Sequence, residues 1–187
     1  MADIRLATFE DLPAILAISN WAAEHTAANF AVEPEILESW QRDWRETHEM
    51  FPWVVAGGGG GQVIGFARAS PWKGRCAYKW TAETTVYVRP GDHGRGVGRA
   101  LYEGLITILD AQGYRTLLGG ITVPNPASVR LHEALGFRRV ALLEQVGWKF
   151  GRWHDVGYWE LCLQDDASTP RVIKPVADVI SDLKSQI

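Results

Sequence analysis

Apolar residues recur with period two in some stretches of this chain and with helical spacing in others, and the switches mark its elements. Ile4 to Ala7 reads as a short strand. Thr8 with Asp11 predicts a capped helix start, with Pro13 near it, and that helix runs to about His25. Pro34 to about Thr47 predicts a second helix with Ile36, Leu37, Trp40 and Trp44 along one face. Trp53 to Ala56 and Gln62 to Ala69 read as a hairpin, and the glycines from Gly57 to Gly61 are expected to form a mobile connection, not strand. A strand carrying Glu83 ends in the β-formers Val86, Tyr87 and Val88, and Pro90-Gly91 breaks it. Leu101, Leu105, Ile108 and Leu109 mark a helix from about Gly98, with Gly113 as its stop. Thr116 to Val123 is a further strand. Asn125-Pro126 joins an N-cap residue to proline at the first helical position, opening a helix to about Leu135 that Gly136 ends. Arg139 to Val146 and Val156 to Leu163 are the last strands, with GWKFGRWHDVG expected as an aromatic loop between them.

This order predicts an α/β class, a mixed sheet with helices on both faces, and no internal repeat. Residues 1–163 are expected to form the main domain. Residues 164–187, with Pro170 and Pro175, form a tail whose short apolar pattern suits a docked helix.

Composition narrows the function classes. The 187 residues fit one domain with a sizeable core, and 47% are hydrophobic. No apolar run approaches the ~20 residues of a membrane span, and the N-terminus turns polar at once, so neither a membrane partner nor a signal peptide is expected. A net charge of −3 argues against a broad nucleic-acid surface. Cys76 and Cys162 form no metal or redox motif, and no histidine pair has zinc spacing, so no metal and a cytoplasmic location are expected.

The most informative stretch is Trp80 to Arg99, WTAETTVYVRPGDHGRGVGR. An acid on a strand precedes a basic, glycine-rich loop and a helix start. Gly94, Gly96 and Gly98 let backbone approach a ligand where a Cβ would block it, and the helix start offers free N–H groups to a phosphate or pyrophosphate. A P-loop is excluded, because no Gly-Lys-Ser/Thr follows. A dinucleotide fingerprint is excluded too: counted from Gly94, Arg99 stands where the third glycine belongs.

His93-Gly94-Arg95-Gly96-Val97-Gly98 resembles the pyrophosphate loop with which GNAT acetyltransferases hold acetyl-CoA. Further matches point to one branch, the phosphinothricin N-acetyltransferases and related amino-acid acetyltransferases. They include Asn29-Phe30, Pro71-Trp72-Lys73, Ala77-Tyr78, Trp80 to Glu83, Pro124-Asn125, the run from Ser128 to Gly136, and Trp153 to Gly157, all in the family's order. His93-Gly94 stands where a Gln-Arg pair is common, and Lys79 often has an acidic counterpart.

The resemblance implies the GNAT fold, acetyl-CoA as co-substrate, and a homodimer. It also implies acetyl transfer to the α-amine of a small amino acid or analogue: phosphinothricin, methionine sulfoximine or methionine sulfone. Such transfer needs a base for an amine that is mostly ammonium near pH 7, and stabilisation of the oxyanion and the leaving thiolate. Glu83 is the base candidate. Strand alternation puts it on one face with Thr85, and Thr84 and Val86 on the other. His132 stands where many GNAT enzymes place a tyrosine that protonates the thiolate, and imidazole can serve as acid or base. The alternatives are a strand glutamate that pairs with a nearby cation and a helix histidine with a structural hydrogen bond.

Main-chain groups of Val86, Tyr87 and Val88 are expected to meet the pantetheine arm by edge pairing, and amides from His93 to Arg99 to hold the pyrophosphate. Arg95 and Arg99 add charge, and Asn125 hydrogen-bonds the arm, caps its helix, or both. Phe30, Lys73, Arg75 and Tyr78 are the acceptor-side residues the resemblance implies, with Arg75 able to clamp a carboxylate or phosphinate in two-pronged fashion. Trp72, Trp80, Trp148 and Trp153 wall a dry pocket or a subunit interface. His154 is expected to brace a loop, and His25 and His48 to lie on helix surfaces. Cys76 has no adjacent base, which disfavours an acyl-enzyme. Rival readings are a silent acetyl-CoA-binding module, against which Glu83 and His132 both speak, and a polyamine or protein N-terminal acetyltransferase. Lys73 and Arg75 disfavour polycations.

Overall fold

A computed structural model describes residues 2–164 and 169–184. Of the expected tail, residues 165–168 and 185–187 lie outside the described residues. The described residues form seven strands in one sheet. The strands are β1 (Asp3–Leu6), β2 (Trp53–Gly57), β3 (Val63–Pro71), β4 (Thr81–Val88), β5 (Thr116–Val123), β6 (Arg138–Lys149) and β7 (Arg152–Cys162), in the order β1-β2-β3-β4-β5-β7-β6. Every neighbouring pair is antiparallel except β4 and β5. The α-helices are α1 (Leu12–His25), α2 (Leu37–Thr47), α3 (Val97–Gln112), α4 (Pro126–Ala134) and α5 (Val176–Lys184).

Each face of the sheet buries its own cluster. On one face Trp53, Val55 and Phe66 pack against Leu12, Ile15 and Ile18 of α1 and Trp40 and Trp44 of α2. On the other, Val54, Ala67, Ala82 and Leu117 meet Leu101, Tyr102, Leu105 and Leu109 of α3, and Val176 and Val179 of α5. The helices on both faces follow the expected class.

Several boundaries differ from expectation for local reasons. Thr8 and Asp11 cap a 3-10 turn, Phe9–Asp11, and α1 starts only at Leu12; Asp11 accepts from the Thr8 N–H at 2.7 Å and from Arg5. Residues 34–36 stay outside α2, and Ile36 at its N-cap is exposed, so the buried face narrows to Trp40 and Trp44. Gly57 belongs to β2, and Gly59–Gly61 form a 3-10 turn with Gly60 and Gly61 at positive φ. The aromatic stretch from Gly147 is mostly strand. Phe150 and Gly151, at φ 50° and 72°, make a two-residue turn whose mirror-image geometry suits the twist of β6 and β7. Trp148 and Trp153 therefore pair across strands, with ring centroids 5.2 Å apart.

Candidate active site

Pairing of β4 with its neighbours fixes where Glu83 points. Glu83 lies opposite Ser70 on β3 and Leu118 on β5. Side chains alternate, so Glu83, Thr85 and Tyr87 share the α1/α2 face, while Ala82, Thr84, Val86 and Val88 face α3. The half-buried Glu83 carboxylate is flanked by Gly120, where an added Cβ would sit 3.6 Å from Oε1, and by Tyr158, which packs edge-on against Trp72. Burial raises the Glu83 carboxyl above the ordinary carboxylate range, and the positive fields of Arg68 and Lys73 oppose that rise. Lys73 thus joins the site, with its ammonium above its neighbour Trp72.

Arg68 was not singled out by sequence reading. It pairs with Asp43 and lies over the rings of Trp40 and Trp53, so α2 fixes the cation nearest in effect to Glu83. An arginine inside the apolar run VIGFARAS was the available signal.

The β4–β5 ladder spans only Thr81↔Thr116 to Glu83↔Leu118, although the strands continue to Val88 and Val123. Beyond it the strands part, and β5 stays with β7 as far as Val123↔Asp155. The parting begins where Thr84 Oγ1 donates to Leu118 O at 3.2 Å. Arg89 N donates to Ile64 O of β3, so by alternation the Tyr87 main chain faces β3, while Val86 and Val88 present theirs on the β5 side. The Val88 carbonyl there accepts from His93 Nε2 at 2.8 Å.

The loop after β4 is organised by Asp92, which is buried and accepts from Arg89 and Arg95 at 2.9 Å each. Gly94 and Gly96 have φ of 73° and 80°, a region that only glycine enters freely, and Gly96 is the N-cap of α3. The first turn of α3 carries no acid. Gly98 packs close to Leu131 of α4 and Val88 of β4. The exposed Arg99 pairs with Glu103. The expected charges for a pyrophosphate, Arg95 and Arg99, thus flank the helix start on flexible stems, each with a carboxylate partner. The positive end of α3, the left-handed glycines and the open side of β4 fit an extended molecule ending in a pyrophosphate.

His132 lies beneath the opposite face, on α4, and is 3% exposed. Its Nδ1 donates to the Ser128 carbonyl at 2.8 Å, which leaves Nε2 to accept from the Tyr102 hydroxyl at 3.1 Å. Burial lowers its basicity, and the Ser128 carbonyl opposes that in part. Tyr102, kept protonated by burial, also lies 3.4 Å from Thr84 O at the point where the strands part. Sequence reading missed this tyrosine, a lone hydroxyl on an aliphatic helix face. Glu83 and His132 therefore approach the same strand junction from opposite faces, beside Gly120 and Gly119. Asn125 caps α4, its Oδ1 accepting from Ser128 N at 3.2 Å.

The remaining expected residues are dispersed. Phe30, between α1 and α2, is 38% exposed and lies over Gly147 of β6, where a Cβ would fall 2.2 Å from its ring. Arg75 and Tyr78 line a groove of about 530 Å³ that Lys73 also borders, walled on the other side by residues 170–173 and by Tyr114. That groove has four cationic and no acidic lining residues. His154 is buried and reaches Lys149 O at 3.0 Å, bracing the end of the β6–β7 hairpin. His25 stacks on Trp21 of α1, and His48, the residue after α2, stacks on Trp44. Among the described residues no group of three or more His, Cys, Asp or Glu side chains could hold a metal, and no helix is long and apolar enough to cross a membrane.

Comparison with known proteins places this geometry. Residues 15–137 match the model of the acetyltransferase (GNAT) family. The chain is 41% identical over 177 residues to a phosphinothricin N-acetyltransferase of Streptomyces viridochromogenes, covering 95% of this chain and 96% of that one. It is 38% identical to the L-methionine sulfoximine/L-methionine sulfone acetyltransferase of Pseudomonas aeruginosa, covering 90% and 99%. A GNAT superfamily phosphinothricin acetyltransferase from Sinorhizobium meliloti, solved in complex with AcCoA, superposes with a TM-score of 0.86 at 32% identity, covering 91% and 93%. With the parted strands, the glycine-rich helix start and these matches together, the chain belongs to the GNAT family and is an acetyl-CoA-dependent N-acetyltransferase.

Proposed function

We propose that the acceptor is a small amino acid with an oxidised or acidic side-chain head, of the kind represented by phosphinothricin, methionine sulfoximine and methionine sulfone, acetylated on its α-amine. The observation that carries this reading is the half-buried Glu83 carboxylate, raised by burial and lying in the positive fields of Arg68 and Lys73 where β4 and β5 part. A carboxylate raised towards neutrality is better matched to an ammonium than an exposed one, and the two cations suit an acceptor that brings its own negative charge.

Acetyl-CoA, when bound, supplies the acetyl group as an activated thioester. Main-chain groups of Val86 and Val88 would align its arm. The amides from His93 to Arg99, with Arg95 and Arg99, would hold the pyrophosphate, and Asn125 would bond the arm from the start of α4. Glu83 Oε1 takes the proton from the α-ammonium, directly or through one water. On the opposite face His132 holds the Tyr102 hydroxyl, which turns from Nε2 to give its proton to the leaving thiolate and is reprotonated from solvent after the thiol leaves. Lys73, Arg75 and Tyr78 receive the acceptor's head, and Phe30 forms its wall. Residues 1–163 act as the catalytic domain, with α5 packed onto it. The chain works in the cytoplasm as a homodimer, a reading supported by the apolar side chains exposed on edge strand β6, among them Leu142, Leu143 and Val146.

A thiol-release assay with acetyl-CoA across a panel of amino acids and amines tests the reading. Methionine sulfone, methionine sulfoximine and phosphinothricin should be acetylated in preference to spermidine and to peptide N-termini. Preference for a polyamine or a peptide would overturn it.

A further inference from the structure

The ammonium of Lys149, at the end of β6, is only 5% exposed and is held by main-chain carbonyls instead of an acid. Its Nζ donates to Asn29 O at 2.6 Å and to Ala23 O. No ion pair to it is found among the described residues. Burying a cation against neutral acceptors is unfavourable unless those acceptors are well placed, and burial does push this ammonium below its ordinary value. The acceptors are well placed. Ala23 belongs to the last turn of α1, whose carbonyls have no partner further along the helix and carry its negative dipole end. The neighbouring Ala22 carbonyl is already taken by the main chain and hydroxyl of Thr26.

Lys149 thus ties the end of α1 to the connection that follows. Asn29 is fixed from its other side by its amide, which donates to Ser19 Oγ at 3.1 Å, while its Oδ1 accepts from Ala31 N at 2.8 Å. From β4 the Tyr87 hydroxyl reaches the carbonyl of Ala28 at 3.0 Å. Tyr87 shares the sheet face of Glu83, so one connection is fastened both to the strand of the base and to the β6–β7 hairpin. Phe30 comes next in the chain and rests on Gly147, two residues before Lys149.

We propose that Lys149 is a positioning residue for the acceptor: by holding the carbonyls of Ala23 and Asn29 it sets residues 26–31, and with them Phe30, as one wall of the acceptor pocket. This rests on the reading of Phe30 as that wall. It predicts a split between the two substrates, because residues 89–99, where acetyl-CoA is expected to bind, are not tied to Lys149.

The test uses the full chain with acetyl-CoA and methionine sulfone, or whichever amino acid of the panel is acetylated best. Lys149→Met keeps the bulk and removes the donors. It should raise the acceptor KM by about three- to tenfold, less than losing a charged hydrogen bond to the acceptor itself would, because Lys149 acts through the wall. The KM for acetyl-CoA should change less than about twofold, and amide exchange should quicken in residues 26–31 but not in α3. Lys149→Arg should recover part of the acceptor KM. Tyr87→Phe, which deletes only a hydroxyl, should shift the same parameter the same way and carries the test if the methionine variant does not fold. Phe30→Ala separates the two ideas. If it raises the acceptor KM while Lys149→Met and Tyr87→Phe do not, or raise both KM values alike, the role of Lys149 is overturned and the wall stands. If Phe30→Ala leaves the acceptor KM unchanged, the wall reading fails and the role of Lys149 falls with it.

Discussion

Gly119 and Gly120 are neighbours on β5 with opposite surroundings, and the difference can be measured. A Cβ on Gly119 would lie 2.5 Å from Nε2 of the buried His132, whose ring is packed against Tyr102 and Phe137 and has nowhere to go. A Cβ on Gly120 would meet Tyr158 and Glu83 at 3.5 and 3.6 Å, ordinary contact distances. Gly119→Ala should therefore destabilise by about 1–3 kcal/mol in urea unfolding, as overpacking does, and lower turnover. Gly120→Ala should unfold close to the parent. At Glu83 stability and activity should move in opposite directions. Burial raises its carboxyl in the folded protein, so the folded state holds that proton more tightly than the unfolded chain. The charged form then lowers stability at pH 7, and this penalty fades as pH falls through the raised value. Glu83→Gln should melt higher than the parent at pH 7, with the gap closing towards pH 4, while kcat drops roughly 10²-fold or more. A lower melting point at pH 7 would mean that the carboxylate is anchored, not strained. The alternation in TAET made the face of Glu83 legible in the sequence. That His132 lies under the other face was not, because it depends on pairing between β5 and strands up to 46 residues away.

Among elements, the β4–loop–α3 unit was the most legible, since glycines that must take positive φ and a strand-breaking Pro-Gly leave direct marks. Gly96 opens α3 in a left-handed conformation with no atom within 4 Å of an added Cβ. Gly96→Val should thus fail through backbone strain and a blocked approach to the helix amides, not through a clash inside the protein. Calorimetry should show acetyl-CoA binding weakened by at least about tenfold, with strain of about 1–3 kcal/mol behind it. Unchanged affinity in a folded variant would reduce the loop to a plain turn. The β6–β7 hairpin was the least legible element. Its turn residues, Phe150 and Gly151, lie in a run of aromatic and charged residues that lacks Asn-Gly or Asp-Gly, the usual mark of such a turn. A bulge between Leu143 and Gly147 further hides the strand period; there Gln145 takes a φ of 53° and its N–H is held by Asp155 at 2.8 Å.

At the scale of the molecule residues 171–179 are integral to the core. Val176 and Val179 are buried against α3, and Gln112 Nε2 donates to Lys174 O at 2.8 Å. The Trp80 indole donates to Arg171 O at 2.7 Å, tying the tail to the residue before β4. Removing everything after Gln164 exposes these partners, and the two valines alone are worth about 1.5–3 kcal/mol each. The shortened chain should unfold at markedly lower urea. The sequence allowed a docked helix there but not its partners, because Gln112 and Glu49, whose carbonyl accepts from Val176 N at 2.8 Å, are distant in the chain and only packing brings them together.

The short ladder between β4 and β5 divides the sheet into two plates, β1 to β4 and β5 to β6, joined along that edge by three residue pairs. Along that seam few main-chain bonds join the plates, which also share the packing of α3 across Ala82 and Leu117. An arm lying along β4 would work as a splint across the seam, making binding and stiffening one event. At a hundred times its Kd, acetyl-CoA should add about 2.7 kcal/mol to stability by mass action, and amide protection should rise most at Val86, Val88 and residues 119–123. The acyl donor then serves as a structural member as well as a reagent, and the resilience of the protein to heat and proteolysis would track how much acetyl-CoA surrounds it.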